Sequence, residues 1–142
     1  MTQIPDRLTA LIAILKADAA VSAQVGTRVF GGELPPAETA SMPRKATVIS
    51  HGGGLGVFGG GYQEYGDTRV DARCYGETPL EADDVWRAAY GALKQMRRTL
   101  QGTIYVHWAR PSGGPLSLRD PDTDWPYVFS SFQVLAAEAA HA

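Results

Sequence analysis

Two hydrophobic periods, one helical and one of strand type, succeed each other along this chain and outline a small mixed domain. Leu8, Leu11, Ile12 and Leu15 recur at helical spacing and mark one apolar face. Pro5 suits the first turn of that helix, and Asp6 suits its positive N-terminal end. A second, shorter helix is expected over Ala19–Val25, capped by Asp18 and stopped by Gly26. Val29 and Phe30 can form a short strand. Gly31–Arg44 reads as a loop, because Pro35, Pro36 and Pro43 withhold backbone donors. Ala46–Ser50 reads as a short strand. In Thr68–Tyr75 the period is two: Val70, Ala72 and Cys74 point one way, Arg69, Asp71 and Arg73 the other. One face of that sheet is therefore buried, and the other is wet or covered by a partner.

The clearest local signal follows. Thr78, Pro79 and Glu81 form a capping box with proline at the first helical position. Behind them Ala82, Val85, Trp86, Ala89, Leu93, Met96 and Leu100 recur at helical spacing, with Gly102 as the stop. Trp86 and Leu93 are expected in the core. Ile104–Ala109 reads as a strand, Arg110–Pro126 as a loop rich in Pro, Gly and Asp, and Tyr127–Ala136 as the last strand, with 136–142 fraying into a tail. The order of elements predicts an α+β domain: a mainly antiparallel sheet of about four strands, with two main helices packed on one face.

Composition narrows the function classes. The chain has 142 residues, enough for one core but not two, so 1–142 is read as a single domain. A net charge of −2 argues against a free-standing nucleic-acid binder, which carries a basic excess. A single cysteine, Cys74, excludes an internal disulfide and any cysteine-based zinc site. The apolar run Leu8–Leu15 is too short to span a membrane, and the residues before it do not form a signal peptide, so a cytoplasmic site of synthesis is expected. Eight of the sixteen glycines lie between Gly52 and Gly66, which marks one special segment rather than general flexibility.

Within that segment Gly54, Gly56 and Gly59 match G-x-G-x-x-G. That motif binds a dinucleotide only where the loop opens a helix, and here it leads into a strand. The segment reads instead as a mobile hairpin, residues 52–66, without a regular pairing pattern. It carries Leu55, Val57, Phe58, Tyr62, Glu64 and Tyr65 as candidate assembly-interface residues. Arg69, Asp71 and Arg73 are candidate outer-face charges, with cross-strand ion pairs as their simplest role. Asp120, Asp122 and Asp124 echo a calcium loop, but Trp125 and Ser131 stand where the required glycine and glutamate belong, so Asx turns are expected. His51, His107 and His141 have no metal-type spacing. A trio of Ser112, His107 and Asp120 can be drawn, but no G-x-S-x-G elbow supports it. Lys94, Arg97 and Arg98 complement the end of the long helix. No catalytic residue, metal site or cofactor is expected.

The ordered set Val25-Gly26-Thr27-Arg28-Val29-Phe30, Leu34-Pro35, the glycine segment, Arg69-Val70-Asp71-Ala72-Arg73-Cys74-Tyr75-Gly76, Thr78-Pro79-Leu80-Glu81-Ala82, Ser112-Gly113-Gly114-Pro115 and Arg119-Asp120-Pro121-Asp122-Thr123-Asp124-Trp125-Pro126 resembles a known family. It is similar to the tail terminator (tail completion) proteins of long-tailed bacteriophages and related prophage or gene-transfer particles, over about Leu8 to Val134. The resemblance implies a virion structural protein, assembled in a bacterial cytoplasm, that forms a hexameric ring. Such a ring caps the head-proximal end of the tail tube, stops its polymerisation and meets a neck or head-completion protein. The genome DNA passes through the lumen without specific binding. A compact domain of this length has an equivalent sphere about 37 Å across, and six such spheres in a ring enclose a hole of about that width.

Within the structural class, a neck or stopper protein is the nearest alternative. Two others come from different classes. One is a small ligand-binding module or enzyme with the glycine segment as a lid. The other is a nucleic-acid-binding domain that stacks bases on Tyr62, Tyr65 and Tyr75 and holds phosphates with Arg69 and Arg73.

Overall fold

A computed structural model describes residues 6–60 and 63–138, with 54–60, 63–68 and 138 described as backbone only. The described elements are α1 (Arg7–Ala17), α2 (Ala19–Val25), β1 (Val29–Gly31), α3 (Pro36–Thr39), β2 (Ala46–Gly60), β3 (Gln63–Tyr75), α4 (Pro79–Gln95), β4 (Thr99–Gln101), β5 (Ile104–Arg119) and β6 (Pro126–Glu138). The strands form one sheet in the order β1-β2-β3-β6-β5-β4. Among the described strands only the β1–β2 pair is parallel. The fold is α+β, but the sheet has six described strands rather than four. Of the two beyond four, β1 falls where Val29 and Phe30 suggest a short strand, whereas β4, also three residues, is too short to show a period and reads in the sequence as the end of the long helix.

Capping fixes the helix ends. The Asp6 carboxylate accepts hydrogen bonds from the Thr9 N–H (3.2 Å) and hydroxyl (2.8 Å), so Asp6 is the cap of α1 and the helix begins at Arg7. Asp18 ends α1 and caps α2, accepting from the Val21 N–H at 3.0 Å. Thr78 caps α4, accepting from the Glu81 N–H at 3.2 Å. Helix α4 ends at Gln95, earlier than its apolar spacing suggests. Met96 is extended, and the Arg97 guanidinium donates to the carbonyls of Lys94 (2.8 Å) and Met96 (2.9 Å). Leu100, expected on the helix, lies in β4 and is 48% exposed; Gly102, at φ +62°, turns the chain from β4 into β5 instead of stopping a helix.

The core lies between one sheet face and α1, α2 and α4. It is built from Leu11, Leu15, Val21, Val85 and Leu93 on the helices and Ile49, Val70, Ala72, Phe132 and Val134 on the strands. Trp86 is only half-buried, while Leu93 is fully buried.

Two stretches read as irregular are strand. Ala46–Ser50 is only the start of β2, whose ladder with β3 continues through Val57↔Gly66 to Gly60↔Gln63, with irregularities between His51 and Gly53 and between Gly54 and Val57. Backbone pairing needs no side chains, so a low strand propensity did not prevent it. The expected loop after Ala109 is likewise the second half of β5, paired with β6 as far as Arg119↔Pro126. Gly114, at φ +90°, is needed there. A Cβ would lie 2.6 Å from the Phe129 carbonyl oxygen. Ala136, where the sequence places the passage from the last strand into the tail, and Ala137, placed in the tail, are both buried within β6; residues 139–142 lie outside the described residues.

Candidate assembly surfaces

The sheet face turned away from the helices carries the predicted charges, but they pair along the strand rather than across it. Arg69 Nε lies 3.2 Å from Asp71 Oδ1, two residues away on β3. The cross-strand partner is neutral: Ser131 Oγ on β6 donates to the same Asp71 oxygen at 2.8 Å. This trio fills the space over β2, where a Cβ on Gly52 would lie 2.6 Å from Asp71 Oδ1. Arg73 donates to the Gly32 carbonyl at 3.2 Å and ties the segment after β1 to the sheet. Two of the three expected outer-face charges therefore act together, and the third anchors a loop.

Tyr75 does not offer the stacking platform proposed for it. It is 5% exposed, with its ring edge-on to Trp125 (6.4 Å) and tilted against Tyr127 (5.5 Å). Tyr62 lies outside the described residues, as do the side chains of Leu55, Val57, Phe58, Glu64 and Tyr65. The backbone of the last five belongs to the β2–β3 hairpin. The glycines of the G-x-G-x-x-G match lie in β2 itself, not at a helix start.

Ser112, His107 and Asp120 do not converge. His107 stacks on Tyr105 (6.3 Å between centroids), and its pKa is lowered by burial and by the Arg98 charge. The Asp120 carboxylate is engaged locally: Oδ1 accepts from the N–H groups of Asp122 (2.8 Å) and Thr123 (3.0 Å), and these bonds hold its pKa down. This is an Asx turn, as the sequence suggests. Among the described residues no group of three His, Cys, Asp or Glu side chains is placed to hold a metal. His141 lies outside the described residues.

One surface was not legible in the sequence. Past β4 and the Arg98 N–H bond to the His107 carbonyl (3.1 Å), no described strand pairs with the outer edge of β5, and there the end of α4 and the irregularity at Val106–Trp108 border a groove of about 420 Å³. Lys94, Arg97, His107 and Arg110 line it beside Trp108. Aromatic rings hold the cations: Arg110 lies 4.1 Å from the centroid of Trp108, Arg98 lies 4.7 Å from Tyr105, and Lys94 lies 5.5 Å from Tyr90. Among the described residues, none of Lys94, Arg97, Arg98 and Arg110 pairs with a carboxylate. The helix-end role expected of Lys94, Arg97 and Arg98 is met in part by the Arg97 bonds to carbonyls. What the sequence hid is that β5 brings Arg110 and His107 beside them.

No family model matches the chain, and no curated protein matches it. Solved structures similar to it include the following two. A chain in the virion of the native gene transfer agent particle superposes with a TM-score of 0.61 and 20% identity, over 92% of this chain and 93% of that one. The bacteriophage SPP1 gp17 protein gives a TM-score of 0.51 and 15% identity, over 89% of this chain and 85% of that one. At such identities the likeness is one of fold, and it extends over nearly the whole chain. The neighbours come from the two kinds of particle, bacteriophage and gene transfer agent, that the sequence resemblance names.

Proposed function

We propose that this chain is a structural virion protein of the tail terminator type. A hexameric ring of it caps the head-proximal end of a tail tube, stops the tube's growth and joins it to the neck. The observation that carries this reading is the fold shared along nearly its full length with a gene transfer agent virion chain, together with the ordered sequence resemblance. The β2–β3 hairpin is its tube- or neighbour-facing arm, with Leu55, Val57, Phe58 and Tyr62 supplying apolar contact. The role is non-enzymatic, and a net charge of −2 suits a lumen through which DNA slides without being held.

Electron micrographs of the purified chain, alone and mixed with its tube protein, test the reading. Six-fold rings and tubes ended by a ring are expected. A chain that stays monomeric and leaves tube length uncontrolled overturns it, and a ring that binds only at the neck makes it a stopper instead.

A further inference from the structure

The balance of charge differs between the two ends of α4. The cationic groove sits at the C-terminal end of α4. At the other end of α4, about 25 Å away at 1.5 Å per residue, lies an acidic knob. There the Gly76 N–H donates to the Pro126 carbonyl (3.4 Å), which sets exposed Glu77 beside the β5–β6 turn with its exposed Asp122 and Asp124. The turn is rigid. Besides the Asp120 carboxylate bonds, the Asp120 N–H donates to the Trp125 carbonyl (3.0 Å) and the Asp124 N–H to the Asp120 carbonyl (2.8 Å). Arg119 is held on this turn, donating to the Asp124 carbonyl at 2.9 Å with the Asp124 carboxylate 3.7 Å away, and Arg73 bears on Asp120, so the four carboxylates of Glu77, Asp120, Asp122 and Asp124 outnumber the two cations beside them.

We propose that the acidic β5–β6 turn of one copy of this chain docks in the cationic groove at the open edge of β5 in the next copy. The inference rests on the ring reading above and supplies its contact. The two poles are too far apart for one copy to satisfy both within itself, so the contact is head-to-tail. Contacts of that kind close into rings when the rotation per copy allows. In the groove Lys94 and Arg110 are already held over aromatic rings and Arg97 on backbone carbonyls, and the turn is already closed by its own bonds, so little side-chain freedom is lost on docking. A free polyanion such as DNA has the charge for the groove but no counterpart to the acidic pole. The second copy explains both poles at once.

The test uses the full chain and sedimentation velocity. In one variant the groove is reversed (Lys94→Glu with Arg110→Glu); in another the knob is reversed (Glu77→Lys with Asp122→Lys). Each variant alone should associate at least about tenfold more weakly than the native chain, with an unchanged melting temperature. An equimolar mixture should regain assembly, with the two variants alternating, because each reversed groove then meets a reversed knob. Native association should also weaken as salt rises. Rings that form equally well from either variant alone, or that are indifferent to salt, overturn the contact while leaving the ring reading intact. A groove reversal that abolishes binding of a DNA oligonucleotide but not assembly overturns it in favour of a polyanion site. A native chain that remains monomeric even with its tube protein overturns the contact and the ring reading together.

Discussion

Trp86 on α4 and Ser130 on β6, 44 positions apart in the chain, are joined by a hydrogen bond of 3.0 Å from the indole N–H to the serine hydroxyl. It is a polar fastening at the margin of an apolar core. Ser130 is 3% exposed, and its removal takes this acceptor away from the half-buried indole. Ser130→Ala should cost about 1–3 kcal/mol in urea denaturation. In the Trp86→Phe background the same change should cost much less. Equal costs in both backgrounds would mean that the bond contributes nothing.

Leu93, 1% exposed, packs into the helix–sheet core. Leu93→Ala should lower the unfolding free energy by about 2–5 kcal/mol. Leu100→Ala, at a position 48% exposed, should change it by less than about 0.5 kcal/mol. The contrast between the two denaturation midpoints separates the helix observed here from the longer one its spacing suggests.

Cys74 is fully buried, and burial pushes its thiol pKa up to about 12. The folded chain therefore keeps this proton at a pH where the unfolded chain, with an ordinary thiol near 8.5, releases it. The resulting stabilisation is complete below about pH 8.5 and is lost as pH rises toward 12. Native stability should fall faster above pH ~8.5 than that of Cys74→Ala, by up to about 1.4 kcal/mol per pH unit. Thiol labelling at pH 8 should proceed only as fast as global unfolding. Fast labelling, or equal slopes in the two proteins, would show the thiol to be accessible.

Gly114→Ala places a Cβ against the Phe129 carbonyl at a backbone angle of φ +90°. The paired half of β5 must then shift, and a loss of more than about 1 kcal/mol is expected. Unchanged thermal melting would mean that the strand relaxes freely.

The proposed arm has its own test. Replacing Leu55 and Phe58 by Ser should leave the melting temperature of the subunit nearly unchanged while weakening assembly and releasing control of tube length. Hydrogen exchange over the β2–β3 hairpin should slow when the ring forms. Normal capping by the double variant would make the hairpin an internal element of the subunit.

Sequence alone exposed whatever was written in local chemistry. Thr78-Pro79-Leu80-Glu81 announced α4 because a capping side chain and a proline act within one turn. Alternation over Thr68–Tyr75 announced β3 and its buried face. What stayed hidden was long-range. The second half of β5 contains Pro111, Gly113, Gly114 and Pro115, residues that read as a loop, yet it pairs with β6 because its other edge is open and needs no donors there. The Arg69–Asp71 pair was visible as two charges, but not the Ser131 hydroxyl 60 residues away that completes it. The cationic groove was hidden for the same reason: Lys94 and Arg110 belong to elements that meet only in the fold.

The place of β6 bears on the order in which this molecule can be made. It is the last strand in chain order, yet it lies between β3 and β5 and is paired with both. Until Pro126–Glu138 has left the ribosome, β3 and β5 each have one edge unpaired, and the helices have no continuous surface to cover. An unfinished chain therefore has no continuous sheet and no set spacing between its two charged ends. Translation itself thus delays the joining of the two halves of the sheet until Pro126–Glu138 has been made.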